Sequence, residues 1–215
     1  MLTMTDVPVA AVWTGAFYWL FADTVGGAAV AGFLTGFAVL IRPNLAPLAA
    51  IFGFYYVIKL FRPDHRRQVL VSLVCFGAAA VPGPILVAII NNYLFGSPAA
   101  SGYGSLDNLF NRSNIPTNLR LYFGWLVEAH TPIVLSGFVG LLFPLRLFWP
   151  GISDRLRLAV GGAFVVGLWT LYCAWGIFDA WWFCRFLLSS WPWIMATWSR
   201  GSPPADLHVL GAMPS

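Results

Sequence analysis

The chain has 215 residues, of which 59% are hydrophobic and only 9% are charged, and its mean hydropathy is +0.76. Soluble domains carry about 25% charged residues, so this composition excludes a water-soluble fold. The apolar runs have the length of helices and no period-two alternation, which favours helices over a β-barrel. The net charge of +4 comes from basic residues scattered in loops. Membrane topology accounts for it, and nucleic-acid binding is not expected.

Seven apolar runs predict an all-α, polytopic bundle of about seven transmembrane spans in a lipid bilayer. Their cores lie at 7–22, 25–41, 44–60, 68–92, 131–148, 158–177 and 187–199. Several are close to the lower limit of about 17 residues for crossing the hydrocarbon core. One longer loop, from Phe95 to His130, is expected outside the cytoplasm. We expect residues 1–199 to form the bundle and residues 200–215 to be a disordered cytoplasmic tail.

The basic residues predict the orientation of the bundle. One side of the alternating spans collects Lys59, Arg62, Arg66, Arg67, Arg155, Arg157 and Arg200. The positive-inside rule makes this side cytoplasmic. The N-terminus then falls outside although no signal sequence precedes it. We therefore expect the chain to be the C-terminal portion of a longer membrane protein or to have a misassigned start. The alternatives are a genuine protein with a short outer N-terminus, or a first apolar run that does not span the membrane.

Three local patterns predict how helices pack or end. Val81-Pro-Gly-Pro84 is expected to kink or break the fourth span. Gly32-Phe-Leu-Thr-Gly36 is a small-xxx-small pattern, which predicts close helix packing within the bundle. Residues 118–130 predict a short interfacial helix, with an apolar face formed by Leu119, Tyr122, Phe123 and Leu126.

The side opposite the basic loops carries the polar residues that are candidates for binding or catalysis. They are Asp6, Arg42, Asn44, Tyr103, Arg112, Arg120, Asp179 and Arg185. Ionisable side chains at membrane depth are costly and usually functional. Arginines suit a phosphate or pyrophosphate group because they donate bidentate hydrogen bonds. A carboxylate can act as a base or hold a sugar hydroxyl.

Structural roles for the same residues stay open. Arg42 can cap the carbonyls that end the second span, and Asp179 and Arg185 can pair with each other or cap helix ends. These last two are six residues apart, so on a continuous helix they would not share a face. A cap at Asp179 that starts the last helix fits better, which makes Arg185 the stronger candidate for the polar cavity.

The chain contains no Walker loop, zinc motif, dinucleotide fingerprint or nucleophile elbow. No cofactor is therefore expected. A divalent metal would be compatible with a phosphate site, but no ligand spacing supports one, and no metal ligands are assigned. The cysteines Cys75, Cys173 and Cys184 are expected to pack as small buried hydrophobes.

Four segments, taken in order, are similar to a known family. They are Thr5-Asp-Val-Pro8, Ala31–Asn44 ending in Ile-Arg-Pro-Asn, Asn92–Gly104 with Gly-Tyr-Gly, and Phe178–Leu188 with Asp-Ala-Trp-Trp. Together they cover most of the chain to about Trp198. In order and spacing they resemble the multi-pass glycosyltransferases of the GT-C fold, the group of protein O-mannosyltransferases and aminoarabinose transferases.

The resemblance implies a function and a site. Such a protein would transfer a sugar from a polyprenyl-phosphate-linked donor to an acceptor outside the cytoplasm, in a bacterial inner membrane. It implies inversion at the anomeric carbon by a deprotonated acceptor hydroxyl, with polyprenyl phosphate leaving. The candidates for the donor or acceptor cavity are Arg42, Asn44, Tyr103 and Arg185, together with Arg120 and Asp179 of the same face. The family's usual catalytic acid lies in an earlier outer loop without a counterpart here. Asp6 is therefore a candidate acid without an assigned role as base.

Two other functions remain alternatives. A transporter or permease is suggested by the interrupted fourth span and the outer arginines, because broken helices line transport sites. A non-catalytic membrane subunit or remnant is suggested by the missing catalytic loop.

Overall fold

The computed structural model describes residues 5–61, 65–100, 109–130, 152–177 and 180–195. These residues are helical throughout, apart from turns and one isolated bridge between Phe110 and Trp175. The α-helices are α1 (Asp6–Leu20), α2 (Val25–Ile41), α3 (Ala46–Leu60), α4 (Arg66–Ala80), α5 (Pro82–Phe95), α6 (Ile115–His130) and α7 (Ile152–Ala174). Short 3₁₀ turns lie at Pro43–Leu45 and Arg112–Asn114, and a longer terminal 3₁₀ helix spans Trp181–Ser190.

Among the described residues, three helical segments are long and apolar enough to cross a membrane, which indicates a membrane protein. They are Pro43–Leu60, Arg66–Phe95 and Arg155–Ala174. The expected bundle of seven spans is not confirmed, because α1 has only 15 residues and α2 only 17. The expected last span, 187–199, begins within the terminal 3₁₀ helix. The expected span at 131–148 and the tail at 200–215 lie outside the described residues.

Local sequence explains several helix boundaries. The Thr24 hydroxyl accepts a hydrogen bond of 3.0 Å from the Gly27 amide and so caps the start of α2. Pro43 opens the turn before α3, since its fixed φ suits a first helical position. Gly96 ends α5 with a φ of 73°, a left-handed conformation that glycine adopts without strain.

Backbones touch where α2 crosses α4 and α5. An added Cβ at Gly32 would collide with the carbonyl of Phe76, and one at Gly36 would collide with that of Ala80. An added Cβ at Gly83 would collide with the carbonyl of Gly36. The small-xxx-small pattern therefore permits close packing inside the bundle, which confirms that expectation. Because both contacts advance in the same sense along the chain, α2 and α4 run in the same direction.

The Pro-Gly-Pro stretch interrupts the long fourth segment only at Val81. The Val81 amide donates to the Gly77 carbonyl at 2.9 Å, and the Ile85 amide donates to the Val81 carbonyl at 3.2 Å. The helix ladder thus resumes at once after the expected interruption. Gly83 serves there as the point of closest approach to α2, which is a packing role.

Aromatic rings hold α1, α3 and α7 together. The ring of Trp13 meets those of Phe52 and Phe164 edge-on, with centroids 5.4 Å and 5.1 Å apart. Phe17 stacks on Trp193 at 5.3 Å, and Trp193 in turn covers Gly161 so closely that no Cβ would fit there. Such ring contacts add to the stability gained by burial. They fix the middle turns of α1, α3 and α7 relative to one another.

Helix α6 packs lengthwise against α7 and the terminal 3₁₀ helix through a face that differs from the expected one. Leu119 is 40% exposed, whereas Asn118, Tyr122 and Leu126 are buried at four-residue intervals. The Asn118 side-chain amide donates to the carbonyls of Cys173 at 2.9 Å and Trp175. These hydrogen bonds satisfy carbonyls at the end of α7, which explains why Asn118 rather than Leu119 lies in the interface.

Candidate functional site

A cluster of polar side chains forms where one end of each of several helices meets. It consists of Asp6, Arg42, Asn44, Tyr172 and Arg185, which we call the Asp6 cluster. Asp6 begins α1, Arg42 follows α2, and Asn44 lies in the turn before α3. Tyr172 is near the end of α7, and Arg185 belongs to the terminal 3₁₀ helix. Four of these five residues were expected on one face, and the structure brings them together.

Arg42 is fixed at the centre of the Asp6 cluster. Its Nη1 donates to the Tyr172 hydroxyl at 2.6 Å and its Nε donates to the Thr5 hydroxyl at 3.1 Å. Its Nη2 lies 2.6 Å from Asp6 Oδ1. The N–H direction misses that oxygen, so this contact is an ion pair without an aligned hydrogen bond. The side chain of Arg42 therefore does not cap the end of α2, which was the structural alternative.

Arg185 is held much less firmly than Arg42. Its Nε lies 3.4 Å from Asp6 Oδ2 without hydrogen-bond alignment, and its side chain is 31% exposed. The exposed fraction of the Arg42 side chain is only 16%. Among the described residues, no other ion pair or hydrogen bond engages Arg185. Within the described parts of the chain, its terminal nitrogens therefore carry no hydrogen bond, and its side chain is more exposed than that of Arg42.

Aromatic rings line the arginines. The Arg42 guanidinium carbon lies 4.7 Å from the centroid of the Phe186 ring, and that of Arg185 lies 5.6 Å from it. The rings of Phe186 and Tyr172 stack at 5.1 Å. Tyr172 also accepts a hydrogen bond of 3.1 Å from the Asn44 side-chain amide. Cation–π contacts of this kind stabilise charge in an apolar setting.

Charge balance defines what the Asp6 cluster can bind. One carboxylate faces two guanidinium groups, which leaves one positive charge. Such a cluster favours an anion with several acceptor oxygens, and phosphate has the matching geometry. Asp6 is buried and paired, so it acts as a base only if a ligand draws an arginine away.

The remaining sequence candidates have different outcomes. Tyr103 and Asp179 lie outside the described residues. Arg120 is exposed on α6, and within the described parts of the chain no ion pair joins it to the Asp6 cluster. Arg112 is also exposed. Tyr172 is the residue that sequence reasoning missed, because a tyrosine inside an apolar run gives no signal of its partners.

A second polar cluster lies at the opposite end of the same helices. It consists of Asp23, Tyr55, Lys59 and Arg157, which we call the Asp23 cluster. The Asp23 carboxylate accepts hydrogen bonds from the Tyr55 hydroxyl and the Lys59 ammonium, both at 2.6 Å, and from Arg157 Nη2 at 3.2 Å. The 15 residues of α1 separate the two clusters by about 22 Å at 1.5 Å per residue.

Hydrogen bonds keep Asp23 charged. Burial alone would raise the pKa of its carboxyl, but hydrogen bonds from Lys59, Tyr55 and Arg157 outweigh burial and lower that pKa below its ordinary value. The positions of Lys59 and Arg157 at one end agree with the grouping expected from the sequence. No role was predicted from the sequence for Asp23, which forms ion pairs with both residues.

The described residues suggest no metal site, and the comparisons with known proteins suggest no family. Within the described ranges, no three His, Cys, Asp or Glu side chains gather as a metal site would require. Comparisons with protein-family models, with curated proteins and with solved structures gave no significant match.

Proposed function

We propose that the chain is a membrane glycosyltransferase, or part of one, that takes a sugar from a polyprenyl-phosphate-linked donor and transfers it to an acceptor outside the cytoplasm. The Asp6 cluster would hold the donor phosphate. The observation that carries the proposal is the convergence of Arg42 and Arg185 on one carboxylate, beside stacked aromatic rings, at one end of an apolar bundle. The resemblance of the segments that supply these residues to the GT-C family supports it.

Arg42 and Arg185 would have different roles. Arg42 is held by Thr5, Tyr172 and Asp6, so it provides a fixed positive charge. Arg185 is partly exposed and loosely paired, so it would turn toward the leaving phosphate. Charge-assisted hydrogen bonds to that phosphate would grow stronger as the glycosidic bond breaks and negative charge develops on its oxygens.

Asp6 would be released as the phosphate binds. An arginine that turns to the phosphate leaves the Asp6 carboxylate with fewer positive neighbours. The freed carboxylate would then be able to accept a proton from the acceptor hydroxyl. The acceptor oxygen would attack the anomeric carbon, the bond to the phosphate oxygen would break, and polyprenyl phosphate would leave with the electron pair.

A second candidate function is a non-catalytic module that binds lipid phosphate. The observation that favours it is the pairing of Asp6 with both arginines, which leaves no free carboxylate among the described residues of the cluster. A transporter is less well supported, because the cluster lies at helix ends and transport sites lie near the bilayer midplane.

Sugar transfer provides the test. The natural full-length protein in proteoliposomes would be given labelled polyprenyl-phosphate hexoses and pentoses together with extracted cell-envelope acceptors. We expect transfer by the wild type, and a decrease of about tenfold or more for Arg185→Gln, because a hydrogen bond to a charged group contributes about 1.5–3 kcal/mol. Arg112→Gln removes an exposed charge elsewhere and is the matched control, with unchanged transfer.

The outcomes separate the two candidates. Donor binding without transfer to any acceptor, with the same dependence on Arg185, would favour the non-catalytic module. Equal transfer by wild type and Arg185→Gln would contradict both, because the phosphate would then lie elsewhere.

A further inference from the structure

The Asp23 cluster carries an excess of positive charge. One carboxylate meets Lys59 and Arg157, so the net charge of these three side chains is one positive. All three are partly exposed, at 21% for Lys59 and 32% for Asp23 and Arg157. The cluster is therefore open to a ligand, and the charge it favours is negative.

Further cations lie at the same end of the bundle. Because α2 and α4 run in the same direction, the start of α4 lies at the end where α2 begins, next to Asp23. The first two residues of α4 are Arg66 and Arg67, and both are exposed. Helix α3, which ends with Lys59 and Leu60, also packs against α4. Five described cations, Lys59, Arg66, Arg67, Arg155 and Arg157, thus lie at the same end of the bundle as the Asp23 carboxylate.

Exposed aromatic residues lie at the same end of the bundle as these cations. Tyr18 and Trp19 lie in the last turn of α1, and Phe61 directly follows α3, and all three are exposed. Aromatic side chains at helix ends are typical of the interface between membrane and water. Basic side chains at that depth bind the phosphates of anionic lipids. Aromatic rings beside cations therefore place this end at the level of lipid head groups.

Asp23 holds the side chains of Lys59 and Arg157 in place before a ligand binds. Its carboxylate fixes the Lys59 ammonium at 2.6 Å and the Arg157 guanidinium at 3.2 Å. Arg157 Nη2 also donates to the Phe21 carbonyl at 3.0 Å, which anchors it to the turn between α1 and α2. Long side chains that are already ordered lose less conformational entropy when a ligand binds.

We propose that the Asp23 cluster, with Arg66 and Arg67, binds the phosphate of an anionic phospholipid head group. This site lies at the opposite end of the bundle from the Asp6 cluster and does not depend on sugar transfer. A phosphodiester oxygen would lie on the exposed side of Lys59 and Arg157. The exposed arginines of α4 would attract the same lipid from the surface.

Native mass spectrometry of the full chain in neutral detergent provides the test, with three ligands. They are phosphatidylglycerol, phosphatidylcholine and inorganic phosphate. We expect the wild type to prefer phosphatidylglycerol. Lys59→Gln and Arg157→Gln should each weaken that binding about fivefold, the factor that corresponds to about 1 kcal/mol per basic residue at an anionic surface. Arg112→Gln is the matched control and should bind like the wild type.

A second variant guards against misfolding. Arg66→Gln combined with Arg67→Gln leaves every contact of Asp23 intact, so it tests the charge without loosening the helix ends. It should also weaken phosphatidylglycerol binding by at least fivefold. The proposal is overturned if phosphatidylcholine binds equally well, if Arg112→Gln weakens binding as much as Arg157→Gln, or if inorganic phosphate binds and the lipid does not.

Discussion

Replacing Asp6 with asparagine should destabilise the fold more than any other single substitution in the Asp6 cluster except the loss of Arg42. The substitution keeps the shape of the side chain and removes its charge. Arg42, with a side chain only 16% exposed, would then be left without its ion-pair partner. Removing one partner of a buried pair costs about 3–5 kcal/mol. Partial access of water to both arginines places the expected loss near the lower value.

The geometry also predicts the order of the other variants. Arg42→Gln removes the ion pair and two hydrogen bonds, so it should cost about as much as Asp6→Asn or more. Arg185→Gln removes an unaligned contact of 3.4 Å from a side chain that is 31% exposed. Such a contact contributes roughly 0–1 kcal/mol, so this variant should remain close to the wild type.

Reversible unfolding in mixed detergent micelles would measure these differences, with Arg112→Gln as the control. A double-mutant cycle between Asp6 and Arg42 should give a coupling energy of about 1–3 kcal/mol, and the cycle with Arg185 a value below about 0.5 kcal/mol. The reasoning is refuted if Asp6→Asn is as stable as the wild type. It is also refuted if both arginine variants lose the same stability, because Arg42 and Arg185 would then not differ in role.

Three further predictions concern packing and pH. Gly83→Ala should destabilise strongly, by about 3 kcal/mol or more, because its Cβ meets the Gly36 carbonyl. Gly53→Ala has open space and should be neutral or slightly stabilising in the same unfolding assay. Asn118→Leu should cost about 1–3 kcal/mol, since the Cys173 and Trp175 carbonyls lose the Asn118 amide, although Trp175 still accepts from Asn114. Asp23 contributes stability that is complete above its unfolded pKa of about 3.9 and is lost as the pH falls below that value, because its folded pKa is lowered. An Asp23→Asn variant should therefore show a flatter melting temperature than the wild type as the pH falls below about 4.

Each of these predictions has an outcome that would contradict it. Equal stability of the two glycine variants would show that α2 and α5 tolerate separation. An unchanged melting temperature for Asn118→Leu would mean that water replaces the amide. Parallel pH profiles for the wild type and Asp23→Asn would remove Asp23 as the source of acid sensitivity.

The sequence predicted which polar residues lie at the same end of the bundle. It did not predict which of them form ion pairs and hydrogen bonds with one another. Alternation of helices across a membrane is enough to place Asp6, Arg42 and Arg185 on one side. The ion pair between Arg185 and Asp6 was not predicted, and Asp179, which was expected to cap the last helix, lies outside the described residues. Such a pairing depends on the three-dimensional path of the chain, which brings the start of α1 beside a helix almost 180 residues later.

Hydrophobic periodicity could not predict several other features of the structure. Tyr172 lies in an apolar run, where an aromatic residue is most simply explained by packing, and its hydroxyl partners come from distant turns. The face of α6 was predicted from apolar residues alone. Asn118 enters that interface because it satisfies two carbonyls, a need that appears only once the end of α7 is located. The expected number of spans relied on apolar length, but α1, with 15 residues, is shorter than the limit of about 17 residues, and α2, with 17, only reaches it.

The most direct test of the central claim is whether the Asp6 cluster recognises a lipid phosphate. The binding of a polyprenyl monophosphate and of the matching polyprenol would be compared for the wild type and Arg185→Gln in neutral nanodiscs. We expect the wild type to prefer the phosphate by at least tenfold, and Arg185→Gln to lose most of that preference while its affinity for the alcohol is unchanged. Equal binding of phosphate and alcohol by the wild type would contradict the account.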